Sequence, residues 1–204
     1  AGAGADLAFI PAPSAVYPPG FSTEVRAGGG AEGLESATRP GFLDGVATVV
    51  TKLLLQALPD VAIFGEKDYQ QLHVVRQLVR DLDIPVRIVG APTKRAPDGL
   101  ALSSRNAYLS ADERSRAPAL HAALRTAAAA IAVGAKPEAA LSEARRAIAA
   151  AGFRVDYVEL RDAETLAEVA LPLTRPARLL AAAVIGRTRL IDNVAVRAPA
   201  SKSR

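Results

Sequence analysis

Two short apolar runs separated by one amphipathic stretch constrain this fold more than anything else in the chain. Val61-Ala62-Ile63-Phe64 and Val86–Val89 read as strands, and the segment from about Asp68 to Leu82 between them reads as a helix. Leu72, Val75, Val79 and Leu82 share one face of that helix. Upstream, Val46, Val49, Val50, Leu53, Leu54 and Ala57 recur at helical spacing, with Asp44 placed to cap and Pro59-Asp60 placed to stop. A strand, a helix and a second strand in this order predict a parallel sheet with a right-handed crossover. Such sheets bind ligands beyond the carboxyl ends of their strands. The turn Gly65-Glu66-Lys67-Asp68 falls there.

The flanks differ in character. Leu7-Ala8-Phe9-Ile10 predicts a short buried strand, stopped by Pro11 and Pro13, and residues 11–43 are rich in Pro and Gly breakers. After Gly90 the alternation ends. Residues 91–109 read as a loop or hairpin around Asp98-Gly99. Ser110-Ala111-Asp112-Glu113 is a capping box ahead of one long alanine-rich helix closed by Gly134. Pro137 opens another helix that runs to Gly152. Strands follow at Val155–Leu160, Arg178–Ile185 and Leu190–Val196, the last two forming a hairpin around Gly186-Arg187-Thr188. The expected division is a parallel α/β unit over residues 1–93, a smaller α+β unit over 94–198, and a disordered tail over 199–204.

Composition removes several functions. Half of the 204 residues are hydrophobic, enough for a true core. There is no cysteine, so disulfide frameworks and thiolate chemistry are out. No run is long and apolar enough for a membrane span, and no secretory signal is visible, in keeping with a cytoplasmic protein. The net charge of +4 comes from 25 basic and 21 acidic residues that are interspersed, with few aromatic platforms, which points away from nucleic acid. The two histidines, His73 and His121, have no partner at metal-ligand spacing, so no protein-held metal site is expected.

Three clusters carry chemistry. At Gly65-Glu66-Lys67-Asp68, a helix start offers free N–H groups, Lys67 adds a full charge, and Asp68 can accept from a sugar hydroxyl. The plainer alternative is that Asp68 only caps the helix, with Gln71 reciprocating. Ser103-Ser104-Arg105-Asn106 can clamp a polyphosphate, with Arg105 balancing charge on a leaving pyrophosphate, or can be a polar loop before a capped helix. Arg39, in Thr38-Arg39-Pro40-Gly41, is either a third cation of the site or a solvated loop residue.

Several longer motifs in one order link these clusters. They include Tyr17-Pro18-Pro19-Gly20-Phe21, Arg39-Pro40-Gly41, Phe64–Leu72, Asp98–Asn106, Arg161-Asp162-Ala163 and Arg189-Leu190-Ile191-Asp192-Asn193. Together they resemble the pantothenate synthetase (pantoate–β-alanine ligase) family through nearly the whole chain. The resemblance implies a Rossmann-like nucleotidyltransferase sheet, here partial, followed by a small α+β lid domain. It implies ATP with Mg2+, and condensation of pantoate with β-alanine through a pantoyl adenylate, in a cytoplasmic homodimer. It places Gly65, Glu66, Lys67 and Asp68 in the ATP site, Lys67 on phosphate and Asp68 on ribose. Leu102, Ser103, Ser104 and Arg105 become the second ATP segment, Lys94 a position near adenine, and Gln71 a pantoate ligand. Arg39 lies near the reacting groups, and Lys67, Arg105 and Arg39 are the expected catalytic residues.

The chain departs from the family pattern in three ways. It carries no methionine and opens on Ala1-Gly2-Ala3-Gly4-Ala5, without the family's His-x-x-His segment and pantoate-binding glutamine upstream, so an N-terminally incomplete form is expected. Phe42-Leu43 stands where His-Phe is usual, and Lys94 where an apolar residue is usual. The alternative function is a non-catalytic remnant that binds nucleotide weakly or only mediates dimer contacts.

Overall fold

The computed structural model describes residue 2 and residues 4–197. The tail expected to be disordered, residues 199–204, lies outside the described residues.

The first sheet has two parallel strands, β1 (Val61–Gly65) and β2 (Arg87–Ala91), in register from Val61 opposite Arg87 to Gly65 opposite Ala91. Helix α4 (Tyr69–Asp81) makes the crossover. Helix α3 (Phe42–Ala57) lies beside it, and Leu43, Ala47, Val50 and Leu54 meet Val74, Val75 and Leu78 of α4 in one core. Ala62, Phe64 and Ile88 of the sheet pack against that core. The parallel α/β reading therefore holds.

Upstream of α3 are two short helices, α1 (Pro13–Val16) and α2 (Glu35–Thr38). The strand expected over residues 7–10 does not form. Leu7, Phe9 and Ile10 are exposed, and no strand pairs with them among the described residues. An apolar run becomes a strand only where a ladder neighbour satisfies its backbone. Asp44 does not cap α3 either. Gly41 holds the N-cap position with φ +75, and Asp44 accepts from the Ala27 N–H at 2.9 Å, tying the preceding loop to the helix.

The second part begins with a hairpin-like loop bridged between Arg95 and Ala101 and a 3-10 turn, Ser104–Tyr108. The Ser110–Glu113 capping box is present. The single long helix expected after it is broken into α5 (Ala111–Arg116) and α6 (Ala119–Ala132). Pro118 is the reason: it lacks an N–H and its ring clashes with the preceding turn. Helix α7 (Pro137–Ala150) has Pro137 in its first turn, as expected.

Strands β3 (Arg154–Asp162), β4 (Ala177–Ile185) and β5 (Thr188–Val196) form an antiparallel sheet in that order. Ile185 pairs with Thr188, so β4 and β5 are joined by the two residues Gly186-Arg187. Gly186 has φ +54, a conformation that short hairpin turns require. One face of this sheet, with Leu179, Ala181, Ala183, Leu190 and Val196, packs on Leu120, Leu124 and Ile131 of α6 and Ile148 of α7. Alanines on both sides let helix and sheet approach closely. The opposite face turns toward the first part of the chain. There Leu180 meets Leu34 and Leu166, with Tyr69 and Tyr157 packed around them. That joint frames the site.

Candidate active site

Beyond the carboxyl end of β1 the chain makes a single 3-10 turn, Glu66–Asp68, and then enters α4. Asp68 occupies the N-cap position of α4, yet its side chain makes no capping hydrogen bond. Side-chain capping by Asp68, the plainer alternative, is therefore not seen. Lys67 Nζ lies 4.0 Å from Asp68 Oδ2, a loose contact that leaves the ammonium free for a ligand. Lys67 is mostly buried and Asp68 half-exposed.

Lys67, Asp68, Gln71, Arg39 and Arg105 line one slot between α4, α2 and β5. Five of the residues expected in the site are thus brought together. Ser103 and Arg105 also line an adjoining cavity with Lys67. Ser103 Oγ accepts from the Arg105 N–H at 3.3 Å and so shapes the turn. Gly65, Glu66, Lys94, Leu102 and Ser104 do not line the slot. The Glu66 carboxylate instead faces Arg178 at 3.5 Å. The Lys94 carbonyl accepts from Leu102 N–H at 2.9 Å, so its backbone closes the hairpin carrying the second segment. Leu102 is exposed.

The Arg39 guanidinium lies 3.5 Å from the centre of the Phe42 ring and 3.9 Å from Glu35 Oε2. The aromatic face holds the cation by its ring quadrupole. Phe42 is therefore a platform for Arg39.

The adjacent amides of α4 have opposite fates. Gln70 is buried; its Oε1 accepts from Glu35 N–H at 3.0 Å and its Nε2 donates to Gly30 O at 3.0 Å. Gln71, about 100° further round the helix, lines the slot. The first glutamine fixes the loop and the second faces the slot.

A buried ion cluster forms the floor. Arg189 donates to Glu35 through both terminal nitrogens and to Asp156 Oδ2 through Nε at 2.8 Å. Tyr157 Oη donates to Glu35 Oε1 at 2.8 Å. Burial pushes the Tyr157 hydroxyl far above its usual range, with the Glu35 charge adding to the shift. Tyr157 is therefore a neutral donor. Burial alone would lower Arg189, but Glu35 and Asp156 outweigh it and hold the guanidinium charged.

A second buried carboxylate sits beside it. Arg95 donates to Asp192 at 2.6 and 2.8 Å. His121 Nδ1 is 3.3 Å from Asp192 Oδ2 but not aligned for a hydrogen bond. Burial would raise the Asp192 pKa, but His121 and Arg95 together carry it below the usual carboxylate value. With Glu35 and Asp192 each matched by an arginine, Lys67, Arg105 and Arg39 outnumber Asp68, the remaining carboxylate of the slot, and the cationic excess suits phosphates. Glu35, Tyr157, Arg189, Asp192 and Asn193 were not singled out as site residues from sequence. The only sequence signal for them was charge within Leu34-Glu35 and Arg189–Asn193.

Among the described residues no group of three or more His, Cys, Asp or Glu is placed to hold a metal ion. A wider cleft of about 530 Å3 opens on another flank of α4, between His73, Arg76, Arg80 and Arg175. Its arginines are solvent-exposed, and the Lys67 and Arg105 segments are elsewhere.

A parallel strand–helix–strand unit with a cationic slot at its strand ends, faced by an α+β unit, defines a nucleotidyltransferase-like α/β enzyme. The sequence profile described as pantoate-beta-alanine ligase matches residues 1–195. The chain belongs to the pantoate–β-alanine ligase family. It is 58% identical over 196 residues to the pantothenate synthetase of Caulobacter vibrioides, covering 95% of this chain and 69% of that protein. It is 58% identical over 193 residues to the pantothenate synthetase of Mesorhizobium japonicum, covering 94% and 68%. The crystal structure of the Thermus thermophilus pantothenate synthetase superposes with a TM-score of 0.89 at 46% identity, over 95% of this chain and 70% of that one. The Francisella tularensis pantoate-beta-alanine ligase, complexed with beta-gamma ATP and beta-alanine, matches at a TM-score of 0.70 and 32% identity, over 89% and 61%.

Proposed function

We propose that the slot activates pantoate with ATP and passes the acyl group to β-alanine in two steps. In the first, a pantoate carboxylate oxygen attacks the α-phosphorus. The bond from that phosphorus to the bridging oxygen breaks, and pyrophosphate leaves with the electron pair. In the second, the β-alanine amine attacks the acyl carbon of pantoyl adenylate. The carbon–oxygen bond to AMP breaks, and the amine proton is lost to solvent. Neither step needs a protein nucleophile; both need positioning and neutralised charge.

The observation that carries this reading is the convergence of Lys67, Arg39 and Arg105 with Gln71 at the end of β1. Lys67 takes phosphate, Asp68 the ribose, Gln71 pantoate, and Arg105 the charge on departing pyrophosphate. Arg39, held over Phe42, sits by the reacting carboxylate. Gly65 and Glu66 complete the first ATP segment. Leu102, Ser103 and Ser104 complete the second, and Lys94 contributes its backbone near adenine. The slot holds about 70 Å3, below the roughly 300 Å3 of small-molecule clefts. Nucleotide therefore seats when the 102–106 turn opens. ATP carries Mg2+ as part of the substrate. The ligand wall belongs to residues 1–93 and the covering unit to residues 94–198. A homodimer in the cytoplasm is the expected state, and light scattering checks the oligomer.

The decisive experiment follows oxygen. Pantoate labelled with 18O in its carboxylate is mixed with the chain, ATP and β-alanine. Transfer of one label to AMP supports the adenylate; unlabelled AMP rules it out. The second reading, nucleotide binding without turnover, is selected if this chain binds ATP and forms no AMP.

A further inference from the structure

Successive residues of a strand point to opposite faces. In β5 this puts Asp192 and Asn193 back to back. Asp192 lies on the face covered by α6, where Arg95 and His121 meet it. Arg95 also donates to the Gly99 carbonyl at 3.1 Å. Asp192 therefore holds the first stem of the hairpin that delivers Ser103 and Arg105, and through Arg95 it also holds the turn at Gly99. Asn193 lies on the other face. Its Nδ2 donates to the carbonyls of Glu66 and Lys67, at 3.0 and 2.9 Å. Its Oδ1 accepts from Arg178 Nε at 2.7 Å. Arg178 in turn stacks on Tyr69, 4.1 Å from the ring centre. Both anchors are almost wholly buried, at 4% and 3% exposure. Asp192 Oδ1 also accepts the Asn193 backbone N–H at 2.7 Å, which couples one anchor to the other.

We propose that Asp192 and Asn193 are positioning residues that set the two ATP segments against each other. Asn193 sets the Glu66–Asp68 turn, and Asp192 sets the 95–106 hairpin. The two segments share no strand. Their relative placement is inherited from one peptide unit of β5, so a shift of that strand moves Lys67 and Arg105 together. The inference rests on the assignment of both segments to ATP, but the anchoring itself is measured without nucleotide.

Hydrogen exchange read by mass spectrometry tests it on the whole chain. Asn193→Ala, and Asn193→Asp as a variant that keeps the acceptor for Arg178, remove the donor pair. Each is expected to speed exchange about tenfold or more in peptides covering 66–70 and to leave 97–106 near the parent rate. Asp192→Asn is expected to do the reverse. Leu190→Ala, on the same strand in the helix-facing core, lowers stability without either local effect. The reciprocal pattern supports the proposal. Equal loosening of both segments in every variant, or none in either, overturns it. ATP titration is the separate arm. Affinity lower by about tenfold in both anchor variants supports the positioning role, and an unchanged affinity despite loosened segments overturns it. No binding by the parent chain overturns the ATP assignment, while the exchange pattern still decides the anchoring.

Discussion

Arg189 of β5 and Glu35 of α2 form a two-armed ion pair, at 2.7 and 2.9 Å, across the joint between the two parts of the fold. Both are largely shielded from water. Removing one partner strands the other in a medium that solvates it poorly. Arg189→Ala is therefore expected to lower unfolding stability by about 3–5 kcal/mol. Urea denaturation measures it. A loss below about 1 kcal/mol contradicts the picture of a buried, paired charge.

Gln70 and Gln71 are expected to separate stability from ligand binding. Gln70→Ala leaves a buried N–H and a buried carbonyl without partners and costs about 2–4 kcal/mol. Gln71→Ala changes stability by no more than about 0.5 kcal/mol and weakens pantoate binding. Thermal melts and pantoate titration of the two variants give opposite rankings; matching rankings refute the assignment.

Lys67→Met is expected to weaken ATP binding by roughly 10–100-fold, the worth of one charge-assisted contact. The melting temperature stays at the parent value, because the ammonium has only the 4.0 Å contact with Asp68. Calorimetric titration with a non-hydrolysable ATP analogue checks both halves.

His73 is expected to make stability fall as the solution turns mildly acidic. Burial lowers its pKa below the ordinary 6.5, Arg80 and Arg76 lower it further, and Asp162 opposes them. The unfolded chain thus takes the proton first. The contribution is complete above pH 6.5 and is lost as pH falls through the lower folded value. His73→Gln removes this slope, leaving carboxylate titration below it. Urea midpoints between pH 7.5 and 5 decide; parallel curves for parent and variant end the claim.

What the sequence disclosed was mostly local. The Ser110–Glu113 box, Pro137 at a helix start and the hairpin at Gly186 each depend on a few neighbouring residues, and each is present. The break at Pro118 and the N-cap at Gly41 were equally local and were passed over. Residues 7–10 misled because an apolar run does not say whether a ladder neighbour exists. Within the slot, Lys67 and Asp68 were singled out from a strand-to-helix turn, and Gln71 from the family resemblance. The partners that hold them were not. Asn193 reaches Lys67 across 126 positions, and Asp192 reaches Arg95 across 97. Such pairs leave no periodic trace in a single chain.

The two-residue connection Gly186-Arg187 has a bearing well beyond its own corner. It counts out the distance to Asp192 and Asn193 and thereby decides which side of the sheet each one faces. One residue added between Thr188 and Asp192 would turn the carboxylate toward the Glu66 and Lys67 carbonyls and the amide toward Arg95. Both halves of the slot would lose their support through a change that touches neither. A change of length along that short span is therefore expected to disturb both halves of the slot, where a change in either segment alone would disturb one.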